Sequence, residues 1–221
     1  MSDKIALFDL DRTITVHGTY TPFLLSVTVR RNPLRLLMLP AALIFMLSYK
    51  AGVISRDRLK ELMLVLLLGP ISKASLKPHV ERFVKGRLKS GLRPGALAQI
   101  EKAREAGQKL VMATASFDFY ADEFGRHLEF DVVIATKSTW NDKDKLVARI
   151  DGANCYGPHK LVMVKEVFEQ QGWSTDDTEF FSDDKSDLPT FEWAGQSFII
   201  NPKAKFEKKA KGLGYPILDW A

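Results

Sequence analysis

Short apolar runs that halt at acidic or hydroxyl residues alternate with stretches of helical periodicity along most of this chain. Residues 4–8 are apolar and stop at Asp9-Leu10-Asp11-Arg12-Thr13, which reads as a buried strand with polar residues at its carboxyl end. Residues 96–106 have helical spacing and end at Gly107, and 109–114 form a second buried strand ending in Thr114-Ala115-Ser116. A helix over 119–128, a strand over 131–135 and a hairpin turn at Asn141-Asp142-Lys143-Asp144 follow. Residues 159–171 repeat apolar positions at Leu161, Val164, Val167 and Phe168 and end at Gly172, predicting a helix. Strands over 178–182 and 197–201 flank a helix over 188–194. Alternation of this kind predicts an α/β fold, a parallel sheet covered on both faces.

Between the first two strands the rhythm changes. Residues 19–88 are Leu- and Met-rich, with breaks at Asn32-Pro33, Pro40, Gly52 and Gly69-Pro70 and no strand-like run. This is a helical insertion, so the expected organisation is a core of residues 1–18 and 89–221 with an insertion of 19–88. The apolar run over 36–49 is shorter than the roughly 18–20 residues a spanning helix needs, which predicts a buried or interfacial helix. No repeat or low-complexity tract is evident.

Composition adds modest limits. With 221 residues, 46% apolar and 27% charged, the chain can bury a proper core. The lone Cys155 excludes an internal disulfide and a cysteine-only zinc cluster, consistent with a reducing cytoplasm. The start, Met1-Ser2-Asp3-Lys4-Ile5, lacks the pattern of a secretion signal. The net charge of +5 divides unevenly. Residues 20–88 carry 12 Lys and Arg against 3 Asp and Glu, a net of +9, and the remainder carries −4.

Ligands of open parallel sheets bind beyond the carboxyl ends of the strands. There this chain delivers Asp9, Asp11 and Thr13, then Thr114 and Ser116, then Lys160 at a helix start, then Ser182-Asp183-Asp184-Lys185-Ser186-Asp187. Each alone suits a helix cap or a solvated surface. Four segments in one order, bringing carboxylates, a hydroxyl and a lysine to one edge, are rarely produced by capping alone.

These residues carry a resemblance. Asp9-Leu10-Asp11-Arg12-Thr13 resembles the DxDxT signature of haloacid dehalogenase superfamily phosphatases, and Ser116, Lys160 and the 182–187 segment resemble its second, third and fourth motifs. The resemblance implies a Rossmann-like three-layer core with an α-helical type 1 cap, as in the IB group of phosphoserine phosphatase-like and phosphatidylglycerophosphatase C-like enzymes. It implies Asp9 as nucleophile, Asp11 as acid and base, and Ser116 and Lys160 on the phosphoryl group. It further implies Mg²⁺ held by Asp9, the Asp11 carbonyl and Asp183, with Thr13 bracing the loop and Asp187 orienting Lys160 or a metal-bound water. Thr114 competes with Ser116 as the second-motif hydroxyl. Asp184 is a bystander or an extra water-mediated ligand. Arg12, where Gly is frequent, and His17 are candidates for substrate contact. His17, His79, His127 and His159 otherwise read as surface or packing residues, with His159 beside Lys160 the best remaining candidate for a part in the chemistry.

The substrate class is open. Phosphoserine phosphatases typically carry a Glu about nine residues after the nucleophile, and here that place is Gly18. No acidic residue occurs between Asp11 and Asp57. Arg30, Arg31 and Arg35 precede the apolar run and Lys50 follows it, the pattern of an interfacial helix on anionic lipid. The other reading is a cap whose helices pack on one another. The expected protein is a Mg²⁺-dependent phosphomonoesterase, cytoplasmic or peripheral to the inner membrane face, leaning to a lipid phosphate such as phosphatidylglycerophosphate. A soluble, phosphoserine-like ester and a non-catalytic binding module are the alternatives. No nucleic-acid partner is expected, for want of a binding motif and interleaved aromatics.

Overall fold

The computed structural model describes residues 3–221, so the first two residues of the segment 1–18, and of the start read as lacking a secretion signal, lie outside the described residues. β1 (Ile5–Phe8) is followed by a wide turn, Leu10–Ile14, and then by four helices. These are α1 (Tyr20–Arg31), α2 (Leu39–Lys50), α3 (Arg56–Met63) and α4 (Lys73–Ser90). Next come α5 (Pro94–Glu105), β2 (Lys109–Phe117), α6 (Asp118–His127) and the hairpin β3 (Val132–Trp140) and β4 (Leu146–Asp151). The chain continues with α7 (Pro158–Gln171), β5 (Thr178–Ser182), α8 (Leu188–Trp193), β6 (Gln196–Ile200), α9 (Ala204–Ala210) and β7 (Ile217–Leu218).

The strands form one sheet in the order β4-β3-β2-β1-β5-β6-β7, parallel except at the hairpin. This is the expected α/β core with a helical cap. β1 alternates its burial. Ile5 and Leu7 join a cluster with Val111, Val164, Phe168 and Phe191, while Ala6 and Phe8 join one on the opposite face. The second cluster runs without interruption into the cap through Phe117, Tyr120, Phe23, Leu24 and Leu67. Phe23 stacks on Tyr120 with centroids 4.9 Å apart, so the cap rests on an aromatic seat supplied by α6.

The differences from the sequence pattern have local causes. β2 extends to Phe117 because its pairing with β3 shifts register between Thr114 and Phe117, where a bulge turns Ser116 out of line. β3 is longer because the hairpin extends it beyond the parallel sheet. Asn141 Oδ1 closes its turn by accepting from the N–H groups of Lys143 and Lys145, each at 3.0 Å. The apolar run 36–49 belongs to a helical stretch, Pro33–Lys50, of 18 residues, long and apolar enough to cross a membrane by length and composition, and only 6% of it is buried. Of the two expectations for it, burial fails.

Candidate active site

β1 lies between β2 and β5, and the chain leaves β1 toward β2 and later returns on its other side as β5. Such a switch of direction opens a crevice at the strand ends. Phe8 pairs with Met112 on one side and Phe181 on the other, so Asp9, Ser116 and Asp183 emerge side by side. They line a cleft of about 550 Å³ with Asp11, Arg12, His17, Lys160 and Asp187.

Lys160, in the first turn of α7, is buried and bridges two carboxylates, Asp9 Oδ1 at 2.9 Å and Asp187 Oδ2 at 2.6 Å. Ser182 Oγ donates to the same Asp187 oxygen at 2.6 Å. Asp187 therefore fixes the lysine, one of its two expected tasks. Burial alone would lower the Lys160 pKa, but Asp187 and Asp9 override it and hold the group above its ordinary value, as a permanent cation.

Asp11 is gripped from the cap and from β2. Thr19 N–H donates to Oδ1 at 2.5 Å, and Ser116 Oγ donates to Oδ2 at 2.9 Å. Ser116 in turn accepts from Tyr120 OH at 2.7 Å. Thr114 is fully buried and its Oγ1 accepts the Ser116 N–H at 3.0 Å, so it pins the bulge while Ser116 faces the cleft.

Burial pushes the Asp9 carboxyl up to about 7, against the pull of Lys160 and with help from Asp187 and Asp11. Asp183 is pushed up to about 8 by burial, then by Asp9, Asp184 and Asp187. Two buried carboxylates, both held above their usual range chiefly by burial and further by neighbouring acids, form a place where a cation is favourable. Among the described residues no group of three His, Cys, Asp or Glu side chains could hold an ion. Of the expected donors, the carboxylates of Asp9 and Asp183 line the cleft, and the Asp11 carbonyl would be the third oxygen. That is a hard-oxygen set of the kind Mg²⁺ takes when waters complete its shell.

Other expected residues divide. Arg12 and His17 are exposed at the cleft rim. Asp184 caps a short turn, its Oδ1 accepting from Ser186 N–H at 2.9 Å, which draws its carboxyl below the usual range despite burial. Thr13 is buried, but its hydroxyl has no hydrogen-bond partner among the described residues. Thr15, rather than the expected Thr13, ties this loop together: its hydroxyl is shared between His17 O at 2.8 Å and Leu10 O at 3.1 Å and accepts from Arg12 N–H at 3.2 Å. His159 is exposed and stands apart from the cleft lining, whereas His127 pairs with Glu123 at 3.1 Å.

The cap supplies residues that the motifs did not reveal. Lys60 on α3 is buried and donates to Ala115 O at 2.7 Å and Asn154 Oδ1 at 3.0 Å, above the Phe117 ring at 4.3 Å. Burial and then Arg56 lower its pKa to about 7. Asn154 Nδ2 donates to Asp57 Oδ1 at 2.6 Å, and Arg56 lies 3.9 Å over the Tyr156 ring, so α3 is latched to the loop after β4. Met46, Tyr49, Leu59 and Met63 complete an apolar wall. No spacing signal marks these positions, because they meet only through the docking of cap on core.

Comparison with known proteins agrees with this geometry. The chain is 31% identical over 166 residues to protein CicA of Caulobacter vibrioides, covering 74% of this chain and 72% of that protein. It is 27% identical over 149 residues to a phosphoserine phosphatase of Polaromonas sp., covering 66% and 61%. The crystal structure of a Bordetella pertussis Tohama I protein of unknown function matches over the full length of both chains, with a TM-score of 0.87 at 24% identity. A model of the haloacid dehalogenase-like hydrolases matches residues 6–192. With that match enclosing Asp9, Asp11, Ser116, Lys160 and Asp183, the chain belongs to the haloacid dehalogenase-like hydrolases.

Proposed function

We propose that the protein is a Mg²⁺-dependent phosphomonoester hydrolase working through an aspartyl-phosphate on Asp9, with a lipid phosphate such as phosphatidylglycerophosphate as its substrate. The observation that carries the reaction is the convergence of Asp9, Asp11, Ser116, Lys160 and Asp183 around one cleft. Asp9 attacks phosphorus, and the bond from phosphorus to the ester oxygen breaks. The departing oxygen takes its proton from Asp11, which later accepts one from the water that attacks the acyl phosphate and releases Asp9 and inorganic phosphate. Lys160 draws Asp9 toward its ionised form and offsets phosphoryl charge, and Ser116 turns its hydroxyl from Asp11 to a phosphoryl oxygen. Mg²⁺, which Asp9, Asp183 and the Asp11 carbonyl would hold, would supply the charge neutralisation that lets an anion approach a carboxylate.

The substrate reading is supported by the cleft wall. Beyond the strand ends it offers Met46, Tyr49, Leu59 and Met63 with the basic residues Arg56 and Lys60, and its acids all belong to the strand ends. A substrate amino group has no carboxylate at Gly18 to meet it. A soluble phosphoserine-like ester is the second reading, favoured by the similarity to the Polaromonas enzyme.

Hydrolysis of an aryl phosphate with Mg²⁺, abolished by EDTA and by Asp9→Asn, tests the reaction. Absence of metal-dependent turnover on any phosphoester would sink it in favour of a binding module. A panel of phosphatidylglycerophosphate, lysophosphatidic acid, phosphoserine and sugar phosphates ranks the substrates. Phosphoserine as the best substrate refutes the lipid reading.

A further inference from the structure

The helical stretch Pro33–Lys50 has two unlike faces. Ala42 is fully buried, and Met46 and Tyr49 line the catalytic cleft. On the other side Leu34 and Leu37 are each 73% exposed, Leu43 57%, Ile44 60% and Leu47 54%. These positions recur at helical spacing and make a continuous apolar stripe, where a soluble monomer ordinarily shows scattered apolar residues.

Along the chain, the charges that flank this stripe are all of one sign. No Asp or Glu occurs from residue 12 to residue 56. Arg30 precedes the stretch and Lys50 ends it. Arg30 also lines a hollow of about 240 Å³ with His79, Arg82 and Arg87, in which no acidic side chain takes part. An apolar stripe bordered by cations without carboxylates complements an anionic lipid surface, because its apolar residues enter the acyl boundary while the cations stay among the headgroups.

Orientation follows from the attachments. Arg31 donates to Leu68 O at 2.9 Å and Pro70 O at 2.6 Å, and Arg35 donates to Val65 O at 2.7 Å and Leu66 O at 2.9 Å. The start of the stretch is therefore pinned to the 65–70 turn, its middle is buried at Ala42, and its end borders the cleft. A helix held along one side by its own cap would lie in the plane of a membrane rather than span it.

We propose that the outer face of Pro33–Lys50 docks in-plane on an anionic lipid surface, with Leu34, Leu37, Leu43, Ile44 and Leu47 inserted and Arg30 and Lys50 at the headgroups. This deepens the lipid-phosphate reading, on which its meaning for catalysis rests: the helix that docks is the helix that walls the cleft. Docking itself stands on exposure and charge and can be measured without a substrate.

The test is co-sedimentation of the full chain with phosphatidylglycerol–phosphatidylcholine vesicles and with phosphatidylcholine vesicles, at low and high salt. The expected result is selective binding to the anionic vesicles, weakened by salt. Combined Leu43→Gln, Ile44→Gln and Leu47→Gln should lower the partition at least about tenfold, and Arg30→Gln with Lys50→Gln should flatten the salt dependence. Both variants should hydrolyse aryl phosphate as the parent does, which shows that they fold. Equal indifference to both vesicles, or undiminished binding by the triple variant, overturns docking. Concentration-dependent self-association that the triple variant abolishes, without vesicle binding, assigns the stripe to a second copy. Bound protein that an alkaline carbonate wash cannot release overturns the in-plane geometry in favour of a spanning helix. Vesicle binding without phosphoester turnover sinks the phosphatase reading and leaves docking standing. Turnover without vesicle binding does the reverse.

Discussion

Arg12 holds φ at 68° between the two aspartates of the first motif, a left-handed conformation that costs a side chain-bearing residue about 1–2 kcal/mol. Arg93 Nε, donating to Arg12 O at 3.0 Å, helps to hold this conformation. Glycine relieves the strain but adds unfolded-state freedom, so Arg12→Gly should stabilise by about 0.5–1 kcal/mol, raising the thermal midpoint by about 1–4 °C. If Arg12 contacts substrate, that variant raises KM while leaving kcat nearly unchanged.

Lys60 is the residue that sequence reading passed over, since one lysine in a basic insertion carries no signal. Its acceptors, Ala115 O and Asn154 Oδ1, also lie 2.9 and 2.8 Å from Thr136 Oγ1, so removing the lysine leaves one hydroxyl proton to serve both. Its folded pKa of about 7 lies below the unfolded value of 10.5. Between those values the unfolded chain binds more protons, and stability from this group rises with pH. The free energy of unfolding of the parent, measured relative to Lys60→Met in the same buffers, should therefore increase from pH 7 to pH 9.5 and be flat below pH 6. A difference that falls over the upper range would show Lys60 charged and stabilised in place. The four motif positions were legible because Asp, Ser and Lys at strand ends are unusual together. Thr15, Tyr120 and Thr19 were not, because a hydroxyl is informative only once its partner is known.

At the scale of elements, apolar periodicity located β1, β5, α5 and α7 within one or two residues, because each presents a single unbroken pattern to the core. It missed the ends of β2 and β3, where a bulge and an antiparallel hairpin extend strands beyond their apolar segment, and it gave no warning of α9 and β7. In the cap, the turn Leu64–Leu68 shows how the basic insertion serves structure as well as surface. It ends at Gly69, with φ at 63°, where an added Cβ would collide with the Arg35 guanidinium. That guanidinium is held by two carbonyls, so it cannot easily give way. Arg35→Ala leaves the Val65 and Leu66 carbonyls without this donor and should cost about 1.5–3 kcal/mol, and Gly69→Ala should also destabilise, both by denaturant unfolding. Arg31 and Arg35 are therefore poor probes of lipid attraction, since their loss unsettles the cap. Arg30 and Lys50 are the informative pair.

For the whole molecule, the charge division of +9 and −4 becomes spatial: an acidic strand-end cleft roofed by a basic, apolar-backed cap. The acidic half has a consequence for stability. Asp9 and Asp183 repel each other across the cleft, and an ion that binds them only when folded stabilises the native state by mass action. Mg²⁺ at about a hundred times its dissociation constant should add about 2.7 kcal/mol, and with about 2–4 °C per kcal/mol in a chain of this size the thermal midpoint should rise by about 5–10 °C. EDTA should return the midpoint to its metal-free value. Asp183→Asn removes one of the repelling charges, so the metal-free variant should melt higher than the metal-free parent and respond little to Mg²⁺. The opposite pattern, an unchanged response to Mg²⁺ in Asp183→Asn, would remove Asp183 from the metal set and leave its raised pKa as a sign of burial alone. Read together with aryl phosphate turnover, the melting series separates a carboxylate that binds the ion from one that only fills the cleft floor.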